Sequence, residues 1–426
     1  MFAALASISA WAQQSGTCGE NLTWTLSNGT LTISVTGTMY DFLGFAEPCT
    51  APWHNNCNYI TSIIIDDGVT SIGQCAFESC NLTSVTIPNS VISIGNYAFI
   101  SCDQMESITI PNSVTTIGDQ FLRGCYALKT VSAPAKAFDV RENHWAYQPK
   151  YLQSVTINSG EINDNVLGVL SRSYKTLTHV DISAVSNEML SDEAFKDFYN
   201  LQNLVLPQSL TKIGYMAVAG CKNLQSISIP ASVEEIDQGA FEDCRSLQTI
   251  TFEGSAPSSV SGKRFATATS GSQLRKIGNW AFYNAHQLQN LVLPEGVEEI
   301  GDAAFYGCTY LENLTLPSSV QSIGDNCFAL CSKLQDITVE ASTPPTIQAK
   351  TFFDVKRSIP VYVPAGSETN YTNDMYWSEF NIRTQGTDIK EVLANPSAPK
   401  DGKVLYDGHL YILRNGQAYD LTGRKL

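Results

Sequence analysis

The chain has 426 residues, of which 43% are hydrophobic and only 16% charged, with a formal net charge of −15 at pH 7. An acidic chain lacks the basic footprint that nucleic acids or anionic membrane surfaces require, so neither is expected as a partner. No run of 18 apolar residues marks a membrane-inserted helix, and Ser, Thr and Asn supply most of the polarity.

Residues 1–12, MFAALASISAWA, are apolar and end in the small-x-small pattern Ala10-Trp11-Ala12. That is the outline of a secretory signal peptide. No Lys or Arg precedes the apolar stretch, so the recorded start is compatible with a truncated signal. Residues 18–58 follow as a β-rich N-terminal cap. Leu22 to Val35 alternates apolar and polar residues around Asn28-Gly29, which predicts a hairpin.

Residues 59–383 are dominated by a repeat. Asn81 to Cys102 reads NLTSVTIPNSVISIGNYAFISC, and the unit ending at Cys125 reads DQMESITIPNSVTTIGDQFLRGC. The pattern returns at Cys221, Cys244, Cys308 and Cys331. A fixed short period implies a solenoid, which stacks similar surfaces instead of folding around one pocket.

Within a unit, Val85 and Ile87 have the period of a strand with one buried face, while Ser84 and Thr86 point the other way. Pro88, without a backbone donor, ends the strand, as do Pro111, Pro207, Pro230, Pro294 and Pro317 in other units. Val91 and Ile94 return to the core, Gly95 is expected to allow a tight bend, and Ala98-Phe99 to form one short helical turn. Phe77, Phe99, Phe241, Phe282, Phe305 and Phe328 then stack as an internal spine, with Leu122 and Val218 as smaller substitutes.

Residues 126–199 keep the strand signal but lose the Ile-Gly and Cys signatures. Gly254 to Ser272, rich in Ser, Gly, Ala and Thr, reads as a surface insertion. Tyr371 to Phe380 reads as an aromatic C-terminal cap, residues 384–400 as a linker around Asn395-Pro396-Ser397-Ala398-Pro399, and residues 401–426 as a small β-module around Asp407-Gly408 and Asn415-Gly416.

Cys80, Cys102, Cys125, Cys221, Cys244, Cys308 and Cys331 share one repeat position, filled by Ala285 in the unit that lacks Cys. A ladder of buried thiols is the expectation, although strand spacing also admits bridges between neighbouring coils. Cys18, Cys49 and Cys57 lie outside this ladder and are candidates for one disulfide among themselves.

The five histidines are scattered, and no Cys-x-x-Cys pair, nucleophile elbow, phosphate-cradling loop or dinucleotide fingerprint occurs. No cofactor, metal or catalytic residue is therefore assigned, and the chain reads as a non-enzyme.

The motif Ile87-Pro88-x-Ser90-Val91-x-x-Ile94-Gly95-x-x-Ala98-Phe99-x-x-Cys102, with Thr17-Cys18-Gly19 and Ala51-Pro52-Trp53 before it, resembles the BspA-like leucine-rich-repeat proteins, a bacterial surface-protein family. The resemblance spans about residues 18–383. It implies a right-handed stack of coils with a parallel β-sheet on the concave face, and a role in adhesion and protein recognition without enzymatic activity. The last residues resemble C-terminal modules of Bacteroidetes surface and secreted proteins.

The outward strand positions carry the functional expectation. Ser84, Thr86, Ser107, Thr109, Asn203, Ser226, Ser228, Thr249, Thr251, Asn290, Asn313 and Thr315 should tile one exposed sheet of short, uncharged hydrogen-bonding groups, suited to a large ligand. An irregular stretch with His144 and Trp145 is a second candidate, since exposed aromatics favour interfaces. The expected protein is secreted or displayed on the cell surface and adhesin-like, binding host extracellular-matrix or microbial proteins. A glycan-binding accessory role is the alternative.

Overall fold

The computed structural model describes residues 13–138, 151–254, 256–260, 263–267, 271–385, 401–406, 409–415 and 417–419. The expected signal peptide, most of the linker, and His144 and Trp145 lie outside these residues. The chain divides into two compact units, residues 1–186 and 187–426. Each is a run of parallel-strand coils.

In the first unit, Thr23–Ser27 and Thr30–Ser34 form the expected hairpin, with Asn28 and Gly29 both at positive φ in its two-residue turn. Thr30–Ser34 then pairs in parallel with Ser62–Ile65. Ser84–Thr86, Ser107–Thr109, Thr130–Ala133, Ser154–Ile157 and His179–Asp181 follow as successive parallel neighbours. The α-helix Asp164–Leu170 fills one of the degenerate coils, capped by the Asn163 side chain on the Asn165 and Val166 amides.

In the second unit, Ser226–Ile229 pairs with Thr249–Phe252. Asn290–Val292, Asn313–Leu316, Asp336–Val339, Pro360–Val363 and Asn381–Thr384 form one parallel sheet. Gly402–Tyr406, His409–Arg414 and Gln417–Tyr419 make an antiparallel meander.

The regular coils carry a second, shorter ladder that the strand signal did not reveal. Val69–Ile72, Ser93–Ile94 and Thr116–Ile117 pair in parallel in the first unit. In the second, Met189–Leu190, Lys212–Ile213, Glu235–Ile236, Lys276–Ile277, Glu299–Ile300 and Ser322–Ile323 do the same.

The third side of the coil is not the expected helical turn. Tyr97 and Ser101 take left-handed backbone angles, φ 56° and 57°, on either side of Ala98-Phe99. The reason lies in the hydrogen bonds. Tyr97 N, Phe99 N and Ser101 N donate to Asp119 O, Phe121 O and Arg123 O of the next coil, while Ile100 N and Cys102 N donate within their own coil. A helix would turn every amide inward along its own axis and forfeit those inter-coil bonds. The same alternation recurs at Trp280 and Asn284 (φ 56° and 60°) in the second unit.

The glycine after each isoleucine also has a different role from the one expected. Gly95 and Gly301 have no left-handed φ; instead, a Cβ on Gly95 would lie 2.4 Å from Gln74 N, and one on Gly301 2.5 Å from Asn279 N. The preceding coil approaches too closely for a side chain.

The aromatic spine forms as read from the sequence. Phe77 stacks on Phe99 with centroids 5.2 Å apart, and Phe241, Phe282, Phe305, Phe328 and Phe352 stack in turn at 5.1–5.4 Å. Leu122 and Val218 are fully buried in the same core. Burying each such ring contributes roughly 1.5–3 kcal/mol. Phe195 belongs here too, its amide donating to Ala217 O, so a regular coil begins earlier than the signature suggested. Tryptophan ends the spine twice: Trp53 packs on Phe77 and donates Nε1–H to Ala76 O, while Trp377 packs on Phe352 and donates to Pro345 O.

The cysteine position is explained by its donor. Cys102, Cys125, Cys221 and Cys244 each donate Sγ–H to the spine-residue carbonyl of the preceding coil, at 3.1–3.3 Å, and Cys308 and Cys331 approach theirs at 3.7 and 3.5 Å. A thiol is small enough for the slot and, unlike alanine, meets a buried acceptor. Burial pushes the Cys244 and Cys331 thiols up to about 12, so they stay protonated. The disulfide, however, is Cys57–Cys80, not one among Cys18, Cys49 and Cys57. Cys57 lies 23 residues before Cys80, one coil length, and so holds the ladder position of the coil next to the cap.

The glycine contacts give a direct test. Gly301→Ala should lower stability in urea or thermal unfolding by about 1–3 kcal/mol, because backbone must shift. Gly168→Ala, in the helix where a Cβ meets nothing within 4 Å, should be neutral or stabilising by up to about 1 kcal/mol. Equal effects at both sites would contradict the close-approach explanation.

Candidate functional site

The parallel register sorts the outward strand residues into rows. In the first unit one row runs Ser84, Ser107, Thr130, Ser154, His179, and its neighbour runs Thr86, Thr109, Ser132, Thr156, Asp181. All are exposed or half-buried, while Val85, Ile108, Val131, Val155 and Val180 between the rows are buried. Alternation at period two divides each strand cleanly between core and solvent.

In the second unit Ser226 lies opposite Thr249 and Ser228 opposite Thr251, all exposed. Ser228 Oγ donates to Glu253 Oε1 at 2.6 Å, which ties that hydroxyl to the adjoining turn. Asn203 is exposed on the strand Asn203–Val205. Asn290 and Asn313 form an amide ladder, Asn313 Nδ2 donating to Asn290 Oδ1 at 2.7 Å, with Asp336 next in the row.

Thr315 departs from the expectation. It and its neighbour Thr338 are only 7% and 8% exposed. Their row runs Val292, Thr315, Thr338, Tyr362. Thr315 is thus not an exposed contact group.

Within the inserted stretch two strands are described. Ala256–Val260 and Lys263–Thr267 form an antiparallel hairpin, with Lys263–Thr267 lying beside Asn290–Val292. Small and hydroxyl-bearing residues masked this in the sequence, because they carry little alternation. The sheet face is interrupted here, whereas the second ladder continues directly from Glu235–Ile236 to Lys276–Ile277.

Charge is concentrated on that second ladder. Lys212 Nζ lies 3.1 Å from Glu235 and 2.9 Å from Asp237, and Lys276 Nζ lies 3.2 Å from Glu235. Partial burial works against the Glu235 carboxylate, but the hydrogen bonds from Lys212 and Lys276 outweigh it and hold its pKa below the ordinary value. Just after the strand Asp336–Val339, burial raises the pKa of Glu340, and the neighbouring Glu295 carboxylate raises it further. Among the described residues no group of three or more His, Cys, Asp and Glu is placed to hold a metal ion, and no helix is long and apolar enough to cross a membrane.

One family model, the BspA type Leucine rich repeat region, matches the chain in six copies over residues 53–168, 172–270 and 259–378. The chain belongs to the BspA-type leucine-rich-repeat family. No curated protein matches it. Among solved structures, this BspA-type chain is similar to a leucine-rich repeat protein from Bacteroides ovatus, at 21% identity over 82% of this chain and 79% of that one, with a TM-score of 0.33. A leucine-rich repeat protein from Eubacterium ventriosum matches at 20% identity over 81% and 93%, TM-score 0.31. A leucine rich cell surface protein from Faecalibacterium prausnitzii matches at 20% over 92% and 99%, TM-score 0.24. Membership of a BspA-type repeat family suggests a protein-interaction or surface role.

Glu340 supplies a pH test. Its raised folded-state pKa means that ionising it costs stability at neutral pH, a cost that fades as pH falls through that pKa and vanishes once folded and unfolded states are both protonated. Glu340→Gln should therefore raise the unfolding midpoint at pH 7, with the difference closing near pH 4. A gain that persists unchanged at pH 4 would refute the assignment.

Proposed function

We propose that this BspA-type protein is a secreted or surface-displayed, adhesin-like recognition protein that binds host or microbial proteins through its sheet rows and performs no catalysis. One observation carries the reading: the outward strand positions Ser84, Thr86, Ser107, Thr109, Ser226, Thr249 and Thr251, exposed except for half-buried Ser107, are hydroxyl-bearing and uncharged, repeated in register over successive coils. A row of this kind presents hydrogen-bonding groups at the strand spacing of about 4.8 Å. It suits an extended macromolecular partner more than a small substrate, because the same short groups repeat from coil to coil. Asn203, Asn290 and Asn313 extend the same chemistry with amides.

The test is binding of the purified protein to immobilised extracellular-matrix and bacterial surface proteins at physiological salt. Saturable binding to a protein is expected, reduced at least about tenfold by the combined changes Ser226→Glu, Ser228→Glu, Thr249→Glu and Thr251→Glu, since carboxylates desolvated against a partner cost more than 1 kcal/mol in total. Binding that is unaffected by these changes would move the site off this part of the sheet, and binding to polysaccharides alone would overturn the protein-recognition reading.

A further inference from the structure

A second site lies away from the sheet rows, in the N-terminal cap. The hairpin turn Asn28-Gly29 and the short 3₁₀ helix His54–Tyr59 border a half-open cavity of about 280 Å³. Buried Leu26 lines it from below, and Tyr59, Gln14, Asn28, Asn56 and Thr61 form its walls. The walls are fixed by backbone. Thr61 N and Ser62 N both donate to Gly29 O, at 3.0 and 3.3 Å, and a Cβ on Gly29 would lie 2.9 Å from Tyr59 O, so glycine here lets the turn and the helix end close on each other. Asn56 Nδ2 donates to Gln14 Oε1 at 2.9 Å, which orients the two amides against each other across the wall.

The lining is chemically selective. It holds three primary amides, the Thr61 hydroxyl, the Tyr59 phenol ring and one aliphatic side chain, and no carboxylate, ammonium, guanidinium or imidazole. An anion would find no cation there, a metal ion no carboxylate, and a purely apolar ligand would leave the amides desolvated. A sugar ring satisfies every part: its C–H face packs on an aromatic ring, and its hydroxyls both donate to and accept from amides. The volume sits just below the roughly 300–1,000 Å³ of typical ligand pockets, room for one ring and not for an extended chain.

We propose that this cavity is a subsite for a single neutral sugar ring, stacked on Tyr59 and held by the amides of Gln14, Asn28 and Asn56. Tyr59, 57% exposed, presents a ring large enough for such a contact. This site is independent of the sheet: it could hold a terminal sugar of a glycan whether or not the sheet rows bind protein.

Saturation-transfer NMR and titration calorimetry on the full chain test it, using glucose, galactose, mannose, fucose and N-acetylglucosamine. At least one sugar should bind saturably in the millimolar range, with affinity about tenfold lower in Tyr59→Ala and unchanged in the fourfold sheet variant. Tyr59→Phe, which keeps the ring, should retain binding. The proposal fails if none of the five sugars saturates, if Tyr59→Ala binds as the parent does, or if neutral N-acetyl amino acid amides bind as tightly as any sugar.

Discussion

The structure depends on one constraint: each coil must accept a copy of itself one strand spacing away. Every side chain in the core meets the equivalent side chain of the next coil, so a position can hold only what stacks on its own kind or fits a gap left by a smaller one. Planar phenylalanine rings meet that demand at centroid separations of 5.1–5.4 Å in the second unit, and their interplanar angles there stay at or below 13°. The glycine after each isoleucine meets it from the other side, by having no Cβ to obstruct the preceding coil. The thiol ladder joins the two requirements, being small and able to serve the carbonyl that stacking would leave buried.

Because stacking consumes the inner face of each coil, variation is confined to the outer positions and to the ends. The outer strand positions can change without affecting the stack, which is why they vary among Ser, Thr, Asn, His, Asp, Val and Tyr while the buried positions between them stay aliphatic. The ends have no neighbouring coil and need a lid. Trp53, flanked by Trp24 and Phe42, and Trp377, flanked by Tyr371 and Phe380, supply broad apolar surface where the repeat stops. Their indole N–H groups take carbonyls that a further coil would otherwise satisfy. It is the irregular N-terminal cap, freed from the repeat, that can build a cavity.

Much of this was legible in the residues. Period-two alternation at Val85 and Ile87, the proline after each strand and the recurring Phe and Cys foretold strands, register rows and spine. What stayed hidden depends on contacts between coils. The short second ladder at Ser93–Ile94 involves two residues per coil, too few for any periodicity to register. The left-handed angles at Tyr97 and Ser101 fall on residue types that rarely adopt them, and only the inter-coil bonds explain them. Cys57 gave no sign of its partner because its coil lacks the Phe and Ile-Gly marks that align the others, Trp53 standing where Phe would be. The burial of Thr315 was not legible either, since its place in the alternation is the same as that of exposed Thr86 and Thr109.

Native-state hydrogen exchange resolved to single amides tests the central claim most directly. If coils are joined on the turn side as well as along the strands, the amides of Tyr97, Phe99 and Ser101, and those of Trp280, Phe282 and Asn284, should be protected to the same degree as strand amides such as Val85 and Leu314. Exchange at those turn amides at the rate of open loops, with protection limited to the strands, would contradict the account.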